Sequence, residues 1–228
     1  MSQKISVLLS VHNDEKNIEN AISSILNQTL EDLELLLMDD YSSDKSYDIC
    51  QKYSNLDKRV RVFKNNKNIG LTKSLNLLAN EARGEYIARQ DSDDVSHKDR
   101  LLKQYMYLNN SKIDGCTTLA KIMGKNLVIP NYSRYIHPKI VIKYKNPFIH
   151  GTLMLKSKTF REVGKYDEKF YYAQDYKLFN DLIKNNFKIT ILKEVLYTLN
   201  MNNNISTINQ KEQAYFAKCV KKNLIPYV

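Results

Sequence analysis

The chain has 228 residues, with 35 Lys and Arg against 25 Asp and Glu, a formal charge of +10. Charged residues make up 26% and hydrophobic ones 43%, ordinary globular usage that excludes wholesale disorder. Six glycines and four prolines exclude collagen-like and proline-rich architectures.

Three cysteines (Cys50, Cys116, Cys219), far apart and in no CxxC pair, argue against a disulfide framework or a cysteine zinc site. No apolar run approaches the ~18–20 residues of a membrane span. The N-terminus reads straight into a strand pattern with no signal-peptide core. The expectation is a soluble, basic, cytoplasmic protein of one domain.

Residues 5–10 form a short β-branched run suited to a strand buried on both faces. Asn13 is placed to cap the next helix, whose apolar positions Ile18, Ala21, Ile22 and Ile25 share one face. Residues 33–38 form a second strand ending on Asp39 and Asp40, and Ser42 to Asp44 can start a second helix through Cys50 and Tyr53. A third strand spans 60–63, a turn 68–70, and a third helix carries Leu71, Leu75, Leu78 and Ala82. A fourth strand, 86–90, runs into Asp91-Ser92-Asp93-Asp94.

This alternation implies a parallel sheet with crossover helices. Beyond it the spacing predicts helices at 98–110, 175–185 and 207–223, the last with Ile208 on its apolar side, and strands at 117–123, 151–155, 187–191 and 195–199. Residues 124–147 read as irregular or partly helical.

Ligands of such sheets bind beyond the carboxyl ends of the strands. Those ends carry Ser10 to His12, Asp39-Asp40 and Asp91 to Asp94, so acidic groups converge on one edge. Clustered carboxylates repel unless a cation or hydrogen-bond donors compensate, and hard oxygens select Mg²⁺, Mn²⁺ or Ca²⁺. A capped loop is the plainer alternative for an isolated DSDD. Asp39-Asp40 suits acceptance of a uracil N3–H, or a solvated loop. Asp175, among Tyr171, Tyr172 and Tyr176, suits a tuned general base or, more plainly, a helix cap. His150 taken alone reads as structural.

Residues 5–13, Asn27-Gln28-Thr29, Asp39-Asp40 with Ser42-Ser43-Asp44, Asn68-Ile69-Gly70, residues 82–94, residues 163–167 and Gln174-Asp175 together resemble glycosyltransferase family 2, with its GT-A fold. The resemblance spans about residues 4–200. It implies an α/β, single-domain inverting transferase, with residues 1–110 holding the nucleotide-sugar and 111–228 the acceptor. The implied donor is a UDP-sugar, the cofactor Mn²⁺ or Mg²⁺, and the acceptor a bacterial surface glycan, often lipid-linked.

Carried across, Ser10, Val11, His12, Asp39, Asp40, Lys73, Asp91, Ser92 and Asp93 contact the nucleotide, with Asp40 on the uracil. Asp93 and Asp94 hold the metal, Asp175 is the catalytic base, and His150 and Gln174 border the acceptor or sugar. Ser10 stands where relatives have proline, His12 where they have a stacking tyrosine, and Gln174 where glutamate is frequent.

The C-terminal lysines suit an anionic membrane surface or a solvated face. The acidic site edge, with no recognised nucleic-acid motif, argues against nucleic acid as partner, and a basic nucleic-acid-binding protein stays as a weaker alternative. A nucleotidyltransferase lacks its Gly-rich phosphate loop here. A non-catalytic sugar-nucleotide-binding subunit stays open because of Gln174.

Overall fold

The computed structural model describes residues 4–201 and 209–227. The first half alternates as expected: β1 (Ile5–Val11), α1 (Ile18–Leu26), β2 (Leu33–Asp39), α2 (Ser46–Leu56), β3 (Val60–Lys64), α3 (Leu71–Glu81) and β4 (Tyr86–Arg89). Then follow β5 (Val95–Ser96), α4 (Arg100–Asn109), β6 (Gly115–Ile122), β7 (Val128–Ile129), α5 (Pro138–Val141), β8 (Met154–Lys156), α6 (Ser157–Glu162), α7 (Gln174–Lys184), β9 (Ile189–Leu199) and α8 (Gln210–Lys222). Residues 207 and 208, expected in the last helix, lie outside the described residues.

One sheet carries all nine strands of the described residues, in the order β3-β2-β1-β4-β8-β6-β9-β5, with β7 on β6. β3, β2, β1 and β4 are mutually parallel; β8 runs antiparallel to β4 and β6. Apolar residues coat both sheet faces. Ile5, Val7, Leu9 and Val11 pack with Ile18, Ile22, Leu35, Leu37 and Cys50 on one side. On the other, Leu8, Leu36 and Ile87 meet Leu75, Leu78, Phe160 and Phe179. A strand covered twice keeps an unbroken apolar run rather than an alternating one.

Several boundaries differ from the sequence expectation. Asn13 does not cap α1: it sits in the left-handed region at φ 53°, and its Oδ1 accepts the Ser43 N–H at 2.8 Å. Its side chain bonds across to the next loop, and a turn accepting at the Asp14 carbonyl delays the helix to Ile18. Asp44 Oδ1 accepts the Ser46 N–H at 2.9 Å, so α2 starts later than expected. The two strands expected at 187–191 and 195–199 form one, β9, which follows β6 through register shifts between Thr118 and Ala120. Residues 150–152 form a 3₁₀ turn before β8. No helix among the described residues is long and apolar enough to cross a membrane.

Candidate active site

Parallel pairing sets Val11 opposite Asp39 and Leu8 opposite Arg89, so the ends of β1, β2 and β4 reach one edge together. At the β1 end, Ser10 and Val11 are buried and His12 is exposed. His12 Nδ1 lies 2.8 Å from the Asp40 carbonyl oxygen.

The two aspartates after β2 have different surroundings. Asp40 is buried, and its Oδ1 accepts from Asn65 Nδ2 (2.8 Å) and Ile69 N–H (2.9 Å), its Oδ2 from Gly70 N–H (2.8 Å). It thereby fixes the loop that opens α3. Gly70 adopts φ 85°, and a Cβ there would stand 2.4 Å from the Tyr171 ring, so this glycine admits the tyrosine. Asp39 Oδ2 accepts from Ser42 N–H at 3.2 Å, whereas its buried Oδ1 has no partner among the described residues. Lys73, on the first turn of α3, is exposed.

Four carboxylates gather near the end of β4. Asp91 accepts from the buried Arg89 guanidinium, which also donates to the Leu8 and Gln90 carbonyls. The Asp91 N–H donates to Tyr197 Oη at 3.2 Å. A Cβ on Gly151 would stand 2.4 Å from Tyr197 Oη and 2.5 Å from Asp91 Oδ2, so only glycine fits there. Ser92 Oγ donates to Asp14 Oδ2 at 2.6 Å.

Burial, with the charges of Asp91 and Asp14, pushes Asp93 up to about 6. Asp94 is pushed up to about 8 by deeper burial and the charges of Asp91 and Asp93. Its carboxyl turns inward: Oδ1 accepts the Asn200 N–H at 2.7 Å, and Tyr197 bonds it too.

Asp175 stands in the first turn of α7, behind Ala173 in the left-handed conformation. Asn146 Nδ2 donates to its Oδ2 at 2.7 Å. Burial raises its pKa against the opposing effect of its hydrogen bonds, and the Asp91 charge raises it further. Electrostatically, then, Asp175 and Asp91 share one environment. Gln174 precedes it, half-buried.

His150 Nε2 lies 2.7 Å from Tyr166 Oη, and burial with the Arg89 charge pushes its imidazole down to about 3. It is neutral, packed edge-on against Tyr166.

Asp91, Asp93 and Asp14 crowd together with the Arg89 guanidinium on Asp91 as their one close cation among the described residues, a setting that suits a divalent ion. Among the described residues no group of three or more His, Cys, Asp and Glu is arranged to hold a metal ion. An ion of the Mg²⁺ type takes one or two protein carboxylates and completes its shell with water and phosphate. Arg89, Asn146, Tyr197 and Gly151 escaped the sequence reading. Only Arg89, a cation inside an apolar strand run, carried a visible signal. Two clefts of about 560 and 660 Å³ lie elsewhere, and neither is lined by Asp91, Asp93 or Asp175.

Known proteins carry the same architecture. The model of "Glycosyl transferase family 2" matches residues 6–179. The "Uncharacterized glycosyltransferase MJ1057" of Methanocaldococcus jannaschii is 34% identical over 224 residues, 93% of this chain and 77% of the relative. The O-antigen biosynthesis glycosyltransferase WbnJ of Escherichia coli is 30% identical over 232 residues, 96% of this chain and 87% of the relative. Among solved structures, S. aureus TarS 1–349 in complex with UDP superposes with a TM-score of 0.75 at 20% identity, covering 98% of this chain and 67% of that one. The sheet and its flanking helices are a GT-A fold, and the chain is a glycosyltransferase belonging to glycosyl transferase family 2.

Proposed function

We propose that this enzyme transfers a sugar from a UDP-sugar to a hydroxyl of a glycan acceptor, with inversion at the anomeric carbon. The observation that carries this reading is the pairing of Asp175 with the Asp91–Asp93 cluster. A carboxylate of raised pKa stands within electrostatic reach of an anionic site suited to a cation and a diphosphate. The O-antigen role named for WbnJ and the UDP bound by TarS support the donor and acceptor classes.

In this reading residues 1–110 receive the donor and 111–228 the acceptor. The uridine meets the ends of β1 and β2 at Ser10, Val11, His12 and Asp39. Asp39, buried at the end of β2, and Asp40, which also fixes the loop, underlie the base site, and Lys73 faces the phosphates. Asp91 and Asp93 would hold the cation, with Ser92 beside them fixed by Asp14. Asp94, turned toward Asn200, supports the loop instead of ligating. Bound there, Mn²⁺ or Mg²⁺ supplies positive charge that stabilises the departing diphosphate.

Asp175 takes the proton of the acceptor hydroxyl as its oxygen attacks the anomeric carbon on the face opposite UDP. The anomeric carbon passes through an oxocarbenium-like state, and UDP leaves with the bonding pair. Asn146 and the backbone N–H groups of Asp175 and Tyr176 hold the carboxylate in place. A raised pKa improves the match between base and hydroxyl near neutral pH. Gln174 and His150 border the acceptor side, His150 as a neutral group.

The test is UDP release from a panel of UDP-hexoses and UDP-N-acetylhexosamines, with Mn²⁺, with Mg²⁺ and with EDTA. Metal-dependent release from at least one donor is expected. Absence of release from every donor, with UDP binding intact, contradicts transfer.

A further inference from the structure

The segment joining β7 to Asn146 presents an exposed surface that the reaction does not use. From 137 to 145 the chain makes successive helical turns, with Ile140 N–H donating to the His137 carbonyl and Lys145 N–H to that of Val141. Val141 and Ile142 face the interior, where the Ile142 carbonyl accepts from Tyr176 Oη at 2.6 Å. Ile140 and Tyr144, at i and i+4, share the opposite face and are 55% and 71% exposed; Ile136, just before the helical turns, is 48% exposed and Tyr132 80%. Arg134, Lys139, Lys143 and Lys145 flank them, and none of the four pairs with a carboxylate among the described residues. No Asp or Glu occurs between Asp114 and Glu162, a stretch with nine Lys and Arg.

Aliphatic and tyrosine side chains ringed by cations that no carboxylate neutralises match an anionic lipid interface: tyrosines settle at headgroup depth, aliphatic groups enter the acyl boundary, and lysines reach the phosphates. A carbohydrate partner gives no use for two exposed isoleucines.

We propose that residues 132–145 form a strap that docks this enzyme on an anionic lipid bilayer. The strap ends on Asn146, which holds Asp175, so docking brings the candidate base to the headgroup plane. Docking itself stands apart from the proposed transfer chemistry, although the benefit to a lipid-linked acceptor rests on that reading.

The experiment is co-sedimentation of the full chain with vesicles of phosphatidylcholine alone, and of phosphatidylcholine and phosphatidylglycerol in equal parts. Binding is expected only to the second, weakening with salt. The strap variant R134Q/K139Q/K143Q/K145Q is expected to lower partitioning by about 10²-fold or more. I140S/Y144S is expected to lower it at unchanged charge. The equal charge loss K211Q/K218Q/K221Q/K222Q on α8 leaves most binding in place. Circular dichroism melts establish that each variant folds, and UDP release without vesicles is expected at the wild-type rate.

No sedimentation with anionic vesicles overturns the proposal, as does equal loss from the α8 variant. So does strap-dependent capture of soluble polygalacturonate without vesicle binding, or a dimer in gel filtration that the strap variant dissolves. Loss of UDP release in every protein, with vesicle binding intact, counts against the transfer reading and leaves docking standing.

Discussion

Asp93 and Asp94 are neighbours in sequence with different fates in space. Asp94 is turned into the protein toward Asn200 and Tyr197, while Asp93 stays half-buried among like charges. The sequence shows an acidic run at a strand end, and that much is legible from the alternation preceding it. Which acid faces inward depends on Asn200 and Tyr197, more than a hundred positions away, and periodicity carries no such information. Asp93→Asn is expected to weaken UDP binding about tenfold or more with Mn²⁺ present and to leave affinity in EDTA unchanged, as read by calorimetry. Equal loss in both conditions contradicts a cation-holding role.

His150 carries a second residue-scale expectation. Its imidazole is held neutral by burial and Arg89 down to about pH 3, whereas an unfolded histidine titrates near ~6.5. Between these values the unfolded chain binds the extra proton. The group's contribution to stability is therefore complete above about 6.5 and is lost as pH falls, by at most about 1.4 kcal/mol per pH unit. Urea unfolding at pH 7 and pH 5 is expected to show wild type losing about 1–2 kcal/mol more than His150→Gln. Equal losses contradict the assignment.

At the level of elements, the loops after β1 and β2 lock each other. Asn13 accepts from Ser43, Asp14 N–H donates to Ser46, and Glu15 N–H donates to Asp44. These side chains carry helix-start signals that the fold spends on cross-loop bonds, so both helix starts were misplaced from sequence while both helices were legible. The two-residue strands β5 and β7 are too short to display a period, and β9 hides its continuity behind its register shifts.

Asp40 shows the same economy, since three bonds from Asn65, Ile69 and Gly70 tie β2 to α3. Asp40→Ala leaves those donors unpaired in a buried place. A loss of about 2–4 kcal/mol in urea unfolding is expected. A change below about 0.5 kcal/mol contradicts the loop-fixing role.

Over the whole molecule, the parallel half β3-β2-β1-β4 follows from local alternation, because each crossover helix returns the chain in the same direction. The other half is assembled by distant pairings: β8 inserts between β4 and β6, and β9 lies along β6. β8 has only three residues and β9 pairs with β6 through register shifts, so neither carries a period that assigns partners. Yet this half delivers the decisive groups to the acidic edge: Gly151 against Asp91, Tyr197 onto Asp94, and Asn146 onto Asp175. The acidic strand ends are readable from the alternation, whereas these distant contacts are not.

The proposed base, Asp175, stands within electrostatic reach of Asp91. The most direct test is steady-state transfer by Asp175→Asn, alongside calorimetric UDP binding with Mn²⁺. Turnover is expected to fall about 10²–10⁴-fold with UDP affinity within about twofold of wild type. Turnover near the wild-type value, or loss of UDP binding in step with activity, would contradict the base role.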